Sequence, residues 1–272
     1  MEKYSVLMSL YIKEKPEYLD IAIDSIVNQT VKPDEIVIVK DGPITDELQA
    51  VLDKYYNTYP GLFNIVGYEK NRGLGIALNF GLEHCKNELV ARMDTDDVAL
   101  PNRCEQELLV LEKDNRIDIV GGDIAEFIGE RNNVVSYRRV PTSNSAIRSY
   151  MRERCAFNHV TVMYKKSAVI RSGNYQDLFW NEDYYLWIRM MQSECVFANT
   201  GTVLVDVRVG KDMYERRGGL KYFNSEKYLQ DYMYTHNLID STKYYCNILK
   251  RFIVQVLLPN RIRGWVFKKF AR

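Results

Sequence analysis

Apolar residues recur along the first part of the chain in two alternating rhythms. SVLMSLYI (5–12) is a continuous apolar run of the length of a buried strand. Pro16 follows, suited to a first helical position, and Leu19, Ala22, Ile23, Ile26 and Val27 then share one helical face. EIVIVKDG (35–42) is apolar on both faces, as in a strand covered by helices on two sides. Thr45 is placed to cap a second helix with Leu48, Leu52 and Tyr55 inward. FNIVGYE (63–69) reads as a third strand, and GLGIALNFGLEHC (73–85) as a third helix with Leu74, Ala77, Leu78, Leu82 and Cys85 inward. ELVARM (88–93) is the fourth strand.

Strands and helices thus alternate through roughly the first hundred residues, the pattern of an α/β fold built from βαβ units around a parallel sheet. Ligands of such sheets bind beyond the carboxyl ends of the strands. Three polar loops fall at such ends: Lys40 to Gly42, the stretch leading into Asn71, Arg72 and Gly73, and Asp94 to Asp97. Parallel strands would bring all three to one edge.

The alternation then loosens. A helix follows Pro101, with Cys104, Leu108 and Leu111 inward. IDIVGGDIAEFI (117–128) and NNVVSYRRV (132–140) read as strands and Ser145 to Arg154 as a helix. HVTVMYKKSAVI (159–170) holds a strand and a helix start, EDYYLWIRMMQSE (182–194) a helix, and VLVDVRVG (203–210) a strand. From about residue 220 the chain is rich in Tyr, Lys and Arg and reads as helical. The expectation is a mainly parallel but mixed sheet in residues 1–220, divided into halves at 1–112 and 113–220, with a helical extension over 221–272.

With 46% hydrophobic residues in 272, the chain can bury a sizeable core. Its net charge of +1 provides no global field for nucleic acid. The 5 cysteines are odd in number and lack a CxxC spacing, which reads as free thiols in a reducing compartment. Neither they nor the 3 histidines cluster, which argues against zinc. The first residues lack a signal-peptide pattern, and FIVQVLL (252–258) falls far short of the roughly 20 residues that span a bilayer. The expected location is cytoplasmic.

The candidate chemistry lies in ARMDTDDVALPNR (91–103), where Asp94, Asp96 and Asp97 follow a strand. Clustered carboxylates repel unless a positive charge joins them. Hard divalent cations take oxygen ligands, and Mg²⁺ is usually held by one or two carboxylates together with phosphates. Asp94 and Asp96, two apart in an extended segment, share one side. The competing reading makes Asp96 and Asp97 a loop and a helix N-cap before Pro101.

In combination, SVLMSLYIKEKPEYL, EIVIVKDGP, NRGLGIALNFGL and ELVARMDTDD have an order and spacing that resemble the inverting GT-A glycosyltransferases of family 2, over roughly the first 110 residues. FNHVTVMYKKSAV, NEDYYLWIRM, DVRVG, RRGG and LLPNRIR resemble the subgroup that builds bacterial surface polysaccharides. The resemblance implies a GT-A fold, a UDP-sugar donor, and Mn²⁺ or Mg²⁺ held by Asp96. It implies that Asp41 contacts the uracil or ribose, that Arg72 lies near the base or phosphates, and that Asp94 contacts the ribose or sugar. Ser9, Tyr11 and Thr95 would complete the nucleotide site. Asp183, with Glu182 as the alternative, would be the base that deprotonates the acceptor hydroxyl. The competing readings are turn chemistry for Asp41, a solvated loop charge for Arg72, and first-turn acids of a helix for Glu182 and Asp183. His159 would lie near the diphosphate or acceptor, or be structural. Arg216 and Arg217 would close over phosphates, or be a solvated turn.

Two departures qualify the resemblance. The chain has Lys40-Asp41-Gly42-Pro43 where members often have Asp-Asp-Gly-Ser, and it lacks the Gln-x-x-Arg-Trp of processive synthases. One sugar per encounter is expected, moved as a hexose (glucose or galactose, β-1,3) to a lipid-linked sugar on undecaprenyl diphosphate. In the tail, Arg251, Arg261, Arg263, Lys268, Lys269 and Arg272 interleave with Phe252, Trp265, Phe267 and Phe270. That pattern suits an anionic membrane surface, and hence a peripheral place on the inner face of the plasma membrane. A nucleotidyltransferase would need a Gly-rich loop at the first strand, which SVLMSLYIKEKP lacks. The reading from a different class is a non-catalytic sugar-nucleotide-binding or scaffolding subunit.

Overall fold

The computed structural model of the protein describes residues 2–210 and 218–259. Its first half follows the expected alternation: β1 (Tyr4–Leu10), α1 (Pro16–Val27), β2 (Glu35–Asp41), α2 (Asp46–Thr58), β3 (Phe63–Tyr68), α3 (Leu74–His84) and β4 (Leu89–Met93). The second half holds β5 (Val98–Ala99), α4 (Arg103–Lys113), β6 (Ile117–Phe127), β7 (Val134–Arg138), α5 (Asn144–Met151), β8 (Met163–Lys165), α6 (Lys166–Arg171), α7 (Glu182–Gln192) and β9 (Val196–Arg208). The described chain closes with α8 (Leu220–Thr235), α9 (Ser241–Phe252) and a π-helical turn at Ile253–Leu257.

The nine described strands form one sheet in the order β3-β2-β1-β4-β8-β6-β9-β5, with β7 on β6. β3, β2, β1 and β4 are parallel. β8 is antiparallel to both β4 and β6, and it is where the mixed character enters.

Side chains on adjacent strand positions go to opposite faces. Tyr4, Val6, Met8 and Leu10 of β1 join Ile36 and Ile38 under α1, α2 and α4. Leu7 joins Val37 and Val39 on the other face, against α3, α5 and α7. All five stripe residues of α1 are buried, and at about 1.5–3 kcal/mol for each large one the stripe far outweighs helix propensity. Thr45 caps α2 by accepting from Leu48 N at 3.3 Å. Leu229 and Met233 of α8 pack into the same core as α7, so the C-terminal helices are fastened to the second half.

Gly81 brings α3 directly onto the sheet. A Cβ there would lie 2.3 Å from Leu7 Cδ1 and 2.6 Å from Val39 Cγ2. Replacement by alanine would cost on the order of 1–3 kcal/mol through overpacking.

Three details differ from the sequence expectation. Asp96 and Asp97 do not cap a helix: β5 intervenes, and Asn102 precedes α4. β9 starts seven residues earlier than 203, because it continues through the polar stretch around Asn199 to Thr202 beside β6. The helix expected over 145–154 ends at Met151. Among the described residues the cysteines are all free, and no helix is long and apolar enough to cross a membrane. Arg216, Arg217 and the tail residues Arg261, Arg263, Trp265, Phe267, Lys268, Lys269, Phe270 and Arg272 lie outside the described residues.

Candidate active site

A cleft of about 490 Å³ opens beyond the carboxyl ends of β1, β2 and β4. Ser9 and Tyr11 line it from β1 and its exit, Asp41, Asn71, Gly73 and Leu74 from the β2 and α3 side, and Asp94, Thr95 and Asp96 from β4. The three polar loops do meet at one edge.

Asp41, at the end of β2, organises one wall. Its Oδ1 accepts from Tyr68 OH at 2.8 Å and Arg72 N at 2.7 Å; its Oδ2 accepts from Asn71 Nδ2 at 2.9 Å and Gly73 N at 3.1 Å. Four hydrogen bonds fill the ordinary capacity of a carboxylate. Any contact from Asp41 to a nucleotide is made in addition to these. Gly42 is required beside it: its φ is +87°, and a Cβ would sit 2.6 Å from Asn71 N. Arg72 turns its guanidinium over the Tyr68 ring, 5.5 Å from the centroid.

The acids after β4 are tied from two directions. Arg92, with a side chain only 3% exposed, donates from Nη1 to Asp94 Oδ2. From β9, Arg208 N donates to Asp97 Oδ1 at 2.8 Å and Arg208 Nε to the Asp96 carbonyl at 3.2 Å. The Arg208 guanidinium also lies 3.8 Å from the Tyr18 ring centroid, so this residue joins the second half to the cleft wall. Thr95 Oγ1 donates to Glu14 Oε2 at 2.7 Å.

Oxygens of Asp94, Asp96 and Asp97 all lie within 4.8 Å of one another, close enough for one ion to reach more than one of them. Burial, then Asp94 and Glu14, push the Asp96 carboxyl up to about 7; burial, then Asp96 and Asp94, hold Asp97 well above its ordinary value. An all-oxygen, electron-rich, under-neutralised cluster is the donor set a hard divalent cation prefers, and these residues fit one.

A second pair of acids opens α7. Glu182 lies against the start of α3, its Cβ 3.7 Å from the position a Cβ on Gly75 would take. Burial and then Asp183 push the Glu182 carboxyl up to about 7. Burial also raises Asp183, against the pull of the Tyr184 N–H and of Arg138 and Arg92. Arg92 therefore acts electrostatically on both acid sets. His159, in a 3₁₀ turn at His159–Thr161, meets Tyr175 OH through Nε2 at 3.0 Å and packs edge-on to Trp187. Burial, then Arg92, hold its pKa well below the ordinary histidine value, which keeps the imidazole neutral.

The profile of "Glycosyl transferase family 2" matches residues 5–179, which contain the cleft and the acid cluster. The chain belongs to this family. It is 39% identical over 272 residues, 99% of this chain and 97% of the other, to a UDP-Gal:alpha-D-GlcNAc-diphosphoundecaprenol beta-1,3-galactosyltransferase of Escherichia coli. It is 43% identical over 223 residues, 82% of each chain, to the amylovoran biosynthesis glycosyltransferase AmsE of Erwinia amylovora. Among solved structures, S. aureus TarS 1–349 in complex with UDP-GlcNAc superposes with a TM-score of 0.68 at 16% identity, over 98% of this chain and 76% of that one. A mannosyltransferase of Pyrobaculum calidifontis in complex with GDP-Man and Mn²⁺ superposes with a TM-score of 0.64 at 16% identity, over 96% and 72%. The fold is GT-A, as the sequence resemblance implied.

In this glycosyltransferase the expected residues Ser9, Tyr11, Asp41, Asp94, Thr95 and Asp96 share the cleft, whereas Arg72 faces Tyr68 at its border. Lys13, Glu14, Lys15 and Tyr18 also line it and were not expected. Arg92 and Arg208 were missed as well. The signal for Arg92 was present: a cation two residues before Asp94 in a strand falls on the same side of it. Arg208 lies within the DVRVG stretch, but Asp96 and Asp97 are over a hundred positions away, so spacing could not join it to them.

Proposed function

We propose that this family 2 glycosyltransferase moves one hexose, galactose being favoured, from UDP to a sugar carried on undecaprenyl diphosphate, with inversion and formation of a β-1,3 linkage. The observation that carries this reading is that Arg92, bonded to Asp94 of the cleft, also acts on Glu182 and Asp183, so that two partly buried acid sets lie around one cation. The near full-length similarity to the E. coli galactosyltransferase supports the choice of donor and acceptor. Residues 1–112 would hold the nucleotide, 113–220 the acceptor, and 221–272 would extend toward the membrane.

The uracil and ribose lie against Ser9, Tyr11 and the Asn71 to Gly73 loop that Asp41 folds, with Arg72 at the border. Asp94 and Thr95 face the ribose and sugar. Asp96 is the principal ligand for Mn²⁺ or Mg²⁺, which when bound neutralises charge on the departing diphosphate. Asp183 accepts the proton of the acceptor hydroxyl as its oxygen bonds to the anomeric carbon. The bond to UDP breaks on the opposite face, and UDP leaves with the electron pair. Glu182, between Asp183 and α3, adds negative charge beside the developing positive charge on the sugar. His159, neutral and held by Tyr175, flanks the acceptor side. Arg216 and Arg217 are assigned to the phosphates.

Peripheral attachment to the inner face of the plasma membrane would bring the enzyme to such an acceptor. Tyr245, Leu249, Ile253 and Leu257 are exposed along α9 and the turn after it, contiguous in sequence with the basic-aromatic tail.

The deciding experiment is UDP release from a panel of UDP-sugars, with Mn²⁺ and with EDTA, for the wild type and Asp96→Ala. Slow hydrolysis of one donor, abolished by EDTA and by the substitution, is expected. No release from any donor, together with no thermal shift from UDP, would sink the reading.

A further inference from the structure

The turn that delivers Glu182 and Asp183 carries a residue the transfer step does not use. Trp180 has a φ of +59°, in the left-handed region where a bulky side chain is an outlier. The turn is held on both sides. Ser225 Oγ of α8 donates to the Phe179 carbonyl at 2.7 Å, and Asn181 Nδ2 donates to Ser225 Oγ at 2.9 Å. Backbone strain fixed by its surroundings in this way is characteristic of functional sites. The ring does not serve the core, because Trp180 is 47% exposed.

What surrounds the indole makes it a shelf. Phe179 stacks with it at 5.0 Å, the planes 13° apart, and Tyr222 meets it edge-on at 6.4 Å. Tyr222 is braced in turn: its hydroxyl donates to Glu226 Oε1 at 3.2 Å, and Glu226 pairs with Arg251 at 2.5 Å. The shelf lies two residues from Glu182. Two residues of chain span at most about 7 Å, the scale of one pyranose ring.

We propose that Trp180, backed by Phe179 and Tyr222, is the surface on which the sugar ring of the acceptor stacks. This deepens the function proposed above and rests on it for the identity of the acceptor. An aromatic face is negative. The C–H face of a pyranose with mainly equatorial hydroxyls, of glucose or N-acetylglucosamine type, is apolar and positively polarised. Stacking leaves the equatorial hydroxyls at the rim of the ring, where one can reach Asp183. The exposed Lys221, with Nζ 3.9 Å from the Phe179 centroid, puts a cation beside the shelf for the acceptor's diphosphate.

The test uses the full chain with UDP and two acceptors: the α-diphosphate of N-acetylglucosamine bearing a short alkyl group, and the same headgroup on a polyprenyl chain. Acceptor affinity is read by calorimetry on the enzyme–UDP complex, which does not depend on turnover, and acceptor KM by UDP release. Trp180→Asn removes the ring and keeps a residue that tolerates the left-handed turn. It is expected to weaken both acceptors about tenfold while donor KM changes less than about twofold, and Trp180→Phe is expected to recover most of the loss. Unchanged acceptor affinity in Trp180→Asn would overturn the proposal. So would a loss confined to the polyprenyl acceptor, which would assign the ring to lipid. A wild type that binds acceptor through Trp180 but turns over no UDP-sugar would sustain the shelf and remove the donor assignment instead.

Discussion

Asp94, Asp96 and Asp97 leave the end of a strand and are tied from both sides, by Arg92 of β4 and by Arg208 of β9. Glu182 and Asp183 open a helix, in the first turn where the macrodipole favours negative charge. Both sets are at least partly buried, and burial raises Asp96 and Asp97 in one and Glu182 and Asp183 in the other above the ordinary carboxylate range. The first set packs three carboxylates within 4.8 Å, with one cationic side chain bonded to one of them. Its excess charge calls for a further cation. The second holds two acids side by side with Arg92 acting at longer range, which suits a proton acceptor. On the proposed function, carboxylates thus serve two tasks, set by the number and position of their neighbours.

Loss of Asp96 should be the most damaging change. Asp96→Ala should lower turnover on the order of a thousandfold or more and abolish the response to Mn²⁺ and EDTA, as read by UDP release. Next comes the second set. Asp183→Asn should cost on the order of 10²–10⁴ in kcat while UDP still raises the melting temperature, with Glu182→Gln costing less. The reverse order would exchange their roles.

The pH profile separates the two acid sets as well. Glu182 titrates at about 7, so it is protonated below that value and charged above it. The rate should therefore rise with pH through about 7, and Glu182→Gln should flatten that limb in a kcat/KM profile. The smallest effect concerns a carboxylate that belongs to neither set. Glu107 is completely buried beside Arg103, and burial raises it from 4.5 to about 7 although Arg103 pulls it down. The folded state holds this proton more tightly than the unfolded one. Its stabilising contribution is full below 4.5 and is lost as pH rises toward about 7. Glu107→Gln should flatten the decline in melting temperature over that window and leave activity unchanged. A raised carboxyl alone does not mark an active site; Glu107 sits on α4, among core side chains.

The alternating half was the more legible one. β1, β2 and β4 are each built around an apolar run, and each helix between the strands presents a stripe, so strand ends and loop chemistry could be placed from spacing alone. The second half resisted for physical reasons. β5 is two residues long and β8 three, too short for any periodicity, and both are defined by pairing with distant strands. The acids were legible because their types and positions announce them. Arg92 was passed over because the run around it otherwise reads as apolar, and Tyr18 because it lies in a helix whose other face is core. Trp180 was invisible because a left-handed backbone leaves no trace in composition.

The pairing of β5 with β9 bears on modular engineering. Val98 and Ala99 lie opposite Asp206 and Val205, directly beyond the acid cluster, and Arg208 grips Asp97 from the end of the same strand. Residues far apart in sequence thus form one mechanical unit, and the seam between the proposed donor and acceptor halves runs through it. A chimera that imports a new acceptor half to change the product must therefore bring a β9 that still offers this edge and this arginine; otherwise the acids of the recipient half lose their alignment.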